Sequence, residues 1–162
     1  MGAHDQAVAT VQRALALATA GGDVVLHALA HDRLGLAYQA QGDYRRAIEC
    51  FGETVAALDG ARRHERFGRT ILPTVFSRAW LAACHAELGT FAEGLAFGEE
   101  GLRIAEAVDH PASLMVASWG GGLLAICAYL RPFLPHLPHA TCCWWPKCGL
   151  ARCASQARTA HS

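Results

Sequence analysis

Apolar residues recur along this chain with the three-to-four-residue step of a helix, and glycine or an acidic residue interrupts them at intervals. From His4 to Ala20, the residues Ala7, Val11, Ala14, Leu15 and Ala18 fall on one stripe, which predicts a helix packed along one side. Gly21-Gly22-Asp23 breaks it, and Asp23 is placed to cap a second helix running to Gln41 with Leu26, Leu29, Leu34, Ala37 and Tyr38 inward. Gly42 ends that helix in the left-handed conformation, and Asp43 caps a third, Tyr44 to Leu58. Pro73 suits the first turn of a fourth helix, which carries Phe76, Trp80, Leu81 and Cys84 to Leu88. After Gly89, Thr90-Phe91-Ala92-Glu93 has the form in which the capping hydroxyl and the glutamate satisfy each other's free amides. The helix behind it reaches Val108, with Leu95, Leu102, Ile104 and Ala105 apolar, and Asp109-His110-Pro111 opens a last one holding Leu114, Trp119, Leu123 and Leu124. Beyond Leu130, Pro132, Pro135 and Pro138 forbid a helix and no apolar period survives to Ser162.

The helices are not independent. Leu34-Gly35, Tyr38, Gly42, Tyr44 and Ala47, which lead to Phe51, return 47 residues later as Leu81-Ala82, His85, Gly89, Phe91 and Gly94, while Ala7, Val11 and Ala14 precede Ala47, Phe51 and Thr54 by 40. Self-similarity of this kind predicts an all-α stack of helix hairpins in which small residues let neighbouring rods approach. The first helix then has the character of a second hairpin helix, so the stack begins in mid-repeat.

The spacing Leu34-Gly35, Tyr38, Gly42, Tyr44, Ala47, Phe51 resembles the tetratricopeptide repeat, a right-handed solenoid of helix hairpins. The longer period, together with Gly42–Cys50, Ser77–Leu81, Ala86–Gly94 and Arg103–Pro111, is similar to the degenerate repeats behind the ATPase module of bacterial adenylate/guanylate cyclase-like regulators. On that basis the chain divides into a repeat domain over 4–127, with a half repeat at 4–20, repeats at 24–59 and 73–108 and a half repeat at 111–130, followed by an irregular tail over 131–162. The resemblance implies a partner-binding groove lined by the first helix of each hairpin. Its positions carry over to Leu29, Asp32, Leu36 and Gln39, and to Phe76, Ala79, Ala83 and Glu87. Asp32, Gln39 and Glu87 are the polar members able to orient a peptide. Five positions depart from the repeat: His31 stands where a bulky apolar residue is usual, Thr54 replaces a small alanine, and Gly94, Gly98 and Gly101 weaken one helix, which is therefore expected to be the loosest.

Fourteen basic and 14 acidic residues cancel, so no whole-molecule field favours nucleic acid or an anionic membrane. Arg62, Arg63, His64, Glu65, Arg66 and Arg69 concentrate between Gly60 and Leu72, but Glu65 interrupts the run, which points to a solvated loop. The uncharged stretch from Pro111 to Leu130 is long enough to span a membrane, yet Gly120-Gly121-Gly122 and its place in the array predict a buried helix. Met1–Gln6 lacks the features of a secretory signal, and a cytoplasmic setting with seven unpaired cysteines follows.

Candidate chemistry is sparse. The phosphate-loop string G-x-x-x-x-G-K-[ST] is absent, so neither the ATPase nor the cyclase of the related regulators is expected here. Cys84 and His85 are neighbours on a helix and point about 100° apart, which defeats a nucleophilic dyad. In the tail, His136, His139, Cys142, Cys143, Cys148 and Cys153 supply enough zinc ligands in number but lack a C-x-x-C knuckle. Out-of-frame translation, starting between Cys127 and Arg131, is the competing account of that segment. The expectation is a non-enzymatic scaffold without cofactor or metal, binding a protein or peptide, prone to self-association through its uncapped repeat ends, and belonging to a bacterial regulator. The alternatives are a remnant active only in a full-length ATPase or cyclase parent, and a small zinc protein.

Overall fold

The computed structural model describes residues 3–130. Six α-helices run in order: α1 Ala3–Gly21, α2 Val24–Gln41, α3 Tyr44–Leu58, α4 Pro73–Leu88, α5 Phe91–Val108 and α6 Pro111–Leu130. A turn of 3-10 helix, Gly60–Arg62, opens the connector between α3 and α4. No strand occurs among the described residues, and the architecture is the all-α hairpin stack that the periodicity predicts, tetratricopeptide-like as the resemblance implies.

Local chemistry sets the ends. The Asp23 carboxylate accepts from the amides of Val25 and Leu26 at 2.9 and 3.0 Å, and Asp43 accepts from that of Arg46 at 3.2 Å. Gly42 and Gly89 close α2 and α4 at φ of 80° and 77°, where a side chain would be strained. The reciprocal cap at Thr90 does not form. Its hydroxyl turns back to α4, 2.7 Å from the His85 Nδ1, so the side chain serves the preceding helix while only the backbone carbonyl opens the next.

Each helix packs on its neighbours in sequence, and α4 also packs broadly on α6. Two core clusters result. Ala47, Phe51, Val55, Trp80, Leu81, Ala83 and Cys84 fill the space between α3 and α4, while Leu72, Val75, Ile104, Ala105 and Ala117 join α4, α5 and α6. Small residues bring the rods together as expected. A methyl at Gly35 would lie 2.8 Å from the Phe51 ring, and one at Gly120 would lie 2.8 Å from the Ala79 Cα.

Several sequence expectations need correction. Leu26 is 56% exposed rather than inward, and the apolar Leu95 of α5 is 47% exposed. On α5 the inner face is instead made by Gly94, Gly98 and Gly101, all buried, because α4 and α6 approach there. The basic connector is not simply solvated. Arg63 pairs with Asp59 and Glu100 at 3.2 and 3.1 Å, its carbonyl accepts from the Thr74 hydroxyl at 2.7 Å, and Arg69 reaches Asp32 at 3.0 Å. Thr54, the anomaly of α3, is explained as well, since its hydroxyl donates to the Ala28 carbonyl of α2 at 3.0 Å and so fastens two helices.

Candidate functional site

Along the expected groove, α4 and α6 share one aromatic row. Phe76 and Trp80 stand one turn apart on α4, with centroids 6.1 Å apart at 60°, and Trp119 of α6 meets Trp80 edge-on at 5.1 Å. Behind them Phe51 stacks on Trp80 at 6.3 Å, which fixes the central indole from the core side. The row emerges at its ends, Phe76 being half-buried and Trp119 39% exposed.

At the Phe76 end sits Arg69. Its guanidinium carbon lies 6.0 Å from the ring centroid, and Nη1 donates to Asp32 Oδ2 at 3.0 Å. Asp32 itself is fully buried, and its other oxygen accepts from the Ser77 hydroxyl at 3.0 Å. Burial raises the carboxyl's pKa, against which the Arg69 charge and the bonds from Ser77 and Arg69 favour the ionised form. Asp32 is therefore a tether joining α2, α4 and the connector, and it is not a surface residue able to orient a peptide.

The remaining expected positions divide. Leu36 and Phe76 lie half-buried against the cluster that contains Trp80 and Ala83, so the fold does bring these together. Leu29, Gln39 and Glu87 are half-buried, and the Glu87 carboxylate lies close enough to Cys84 to act on its thiol. Ala79 is covered by Gly120 and belongs to the α4–α6 contact. Trp80, Trp119 and Arg69 escaped assignment to the groove from sequence. The first two are legible as members of a helical stripe but fall outside the groove positions that the resemblance carries over, and no local signal pairs Arg69 with residues 37 positions away in sequence.

Neither thiol among the described side chains, Cys50 or Cys84, offers a nucleophile. Burial, with help from Glu87, pushes Cys84 up to about 12, and burial with nearby carboxylates pushes Cys50 up to about 11. His85, beside Cys84 in sequence, stacks on Phe97 at 5.7 Å, and desolvation lowers its pKa. Among the described residues no group of His, Cys, Asp and Glu is arranged to hold a metal ion, and no helix is long and apolar enough to cross a membrane. The six tail ligands lie outside the described residues, as does the tail 131–162 that the proposed change of reading frame would explain.

Comparison with known proteins agrees with this architecture over its first part: the tetratricopeptide repeat family matches residues 1–59, which cover α1 to α3. No curated protein and no solved structure matches the chain.

Proposed function

We propose that this chain is a protein-binding scaffold whose partner segment lies across α2, α4 and α6. The observation that carries the reading is the row Phe76–Trp80–Trp119, which reaches the surface at both ends with Arg69 beside one of them. Aromatic rings held rigid by packing give large contact area at small entropic cost, which is how binding hot spots are built. Arg69 uses one nitrogen on Asp32 and retains further N–H groups for a carboxylate or backbone carbonyl of the partner. Leu36 supplies apolar wall, while Gln39 and Glu87 supply polar edges. The preferred segment is accordingly apolar with an acidic group at the Arg69 end.

Selection from a displayed peptide library followed by calorimetry tests this. Selected peptides should lose about tenfold or more in affinity with Trp119→Ala or Arg69→Gln, equivalent to about 1.4 kcal/mol. Peptides indifferent to both substitutions would refute the groove. The likeness to repeats of bacterial ATPase- and cyclase-linked regulators supports a narrower reading, a recognition module of such a regulator. Sequencing the flanking DNA for an adjoining ATPase or cyclase module checks it.

A further inference from the structure

The way α2 seats on α3 and α4 is repeated, 47 residues on, by α4 on α5. In the first joint Ala28, His31 and Gly35 occupy the side of α2 that faces α3: Ala28 accepts the Thr54 hydroxyl bond, and Gly35 meets Phe51. In the second, Val75, Arg78 and Ala82 do the same on α4, with Gly101 against Val75 and Arg78 and Gly98 against Ala82. The side of α4 that looks back along the array is marked by Ser77, bonded to Asp32, and the corresponding side of α6 is marked by Ala117, buried between α4 and α5. Counted from these markers, the forward-facing positions of α6 are Met115, Ser118 and Gly122, and all three are exposed, Met115 by 67%.

A matching seat exists at the opposite end. Between α1 and α2 lies an apolar depression of about 410 Å³ lined by Ala14, Leu17, Ala18, Leu26, Leu29 and Ala30, with Leu17 75% exposed. Its lining is the register mate of an occupied joint: Ala14 corresponds to Thr54, Ala18 to Leu58 and Ala30 to Ser77, the residues that receive α2 on α3 and α4. Charge agrees too. α6 carries no Asp, Glu, Lys or Arg, and the acid at the depression's rim, Asp23, is spent on capping α2.

We propose that the occupant of this depression is α6 of a second copy, so that the chain assembles head to tail through the joint it already uses internally. A contact between two different surfaces does not close at two copies. Assembly therefore continues with concentration, extending the array.

Sedimentation velocity of the full chain over a wide concentration range provides the test. Species larger than a dimer should accumulate as concentration rises. Met115→Glu on α6, or Leu17→Asp on α1, should each weaken assembly by about tenfold or more, because each places a charge in an apolar joint. Both sites are exposed within one copy, and circular dichroism verifies that each variant folds; Ser118→Glu and Leu26→Asp serve as replacements. The decisive arm mixes the two variants. Each retains one good surface of opposite kind, so an equimolar mixture should form a heterodimer and stop there. A wild-type chain that stays monomeric, as it would if its own residues 131–162 filled the depression, overturns the proposal. So does a mixture that fails to pair, or assembly that survives both substitutions.

Discussion

Individual residues here are judged by what a single methyl would meet. Gly35 and Gly120 are places where one does not fit, and at Gly120 the obstacle is the α4 backbone, which cannot rotate aside. Gly120→Ala should cost about 1–3 kcal/mol despite alanine's better helix propensity, and Gly35→Ala should cost somewhat less because the Phe51 ring can tilt. Gly98 and Gly52 present the opposite case. A methyl at Gly98 would make ordinary contact with Gly121 at 3.5 Å and Ala82 at 3.8 Å, and one at Gly52 would meet nothing within 4 Å. Either change to alanine should raise stability by about 0.5–1 kcal/mol, so chemical denaturation of the four variants separates close approach from mere composition. The sequence marks all four as glycine and cannot sort them, because the distinction lies in which neighbour stands opposite. Thr54 teaches the same lesson: as a departure from the repeat it looks like a defect, yet its hydroxyl bonds the α2 backbone.

Helix ends were largely legible, since Asp23, Gly42, Asp43, Pro73 and Gly89 act locally and each acts as its chemistry requires. Which face of each helix turns inward was less so. Periodicity ranks positions by apolarity, but α2 buries Asp32 and exposes Leu26 because ion pairing and hydrogen bonding fasten it to α4 and the connector. Asp32→Ala should therefore cost about 1–3 kcal/mol by orphaning the Ser77 hydroxyl and releasing Arg69, and proteolysis within Gly60–Leu72 should accelerate in parallel. A second fastening has the same character. Arg78 is buried, and its Nη2 donates to both Asp59 oxygens at 2.9 and 3.2 Å. Burial opposes ionisation of Asp59, but bonds and charges from Arg78 and Arg63 outweigh it and hold the carboxyl below its usual value. Asp59→Asn keeps the shape but removes the charge, and it should lower the melting temperature more in dilute buffer than in concentrated salt.

For the molecule as a whole, acid sensitivity follows from two histidines. Desolvation lowers the pKa of His31, aided by His27 and opposed by Glu53, and desolvation lowers that of His85 against Glu93. Both therefore bind protons less readily folded than unfolded, where the value is 6.5. The stability tied to their neutral forms is present above that pH and is lost as pH falls through and below it. Thermal melts should drop between pH 7 and pH 5, and the double variant His31→Gln, His85→Gln should flatten the decline. The site scaled differently from the fold. Repeated spacing announces a stack of rods, but the aromatic row and Arg69 arise only when α4, α6 and the connector meet in space.

The array is also uneven along its length. α4 is pressed against α6 over a broad front through Ala79 and Gly120, whereas α2 and α4 touch only lightly and are held by the Asp32–Ser77 bond and the Arg69 pair. Stretched between its ends in an optical trap, such an object gives way at its softest seam. α1, which packs on α2 and on little else, should peel off first at low force, whereas α3 and α4 stay joined through the Phe51–Trp80 core and yield later.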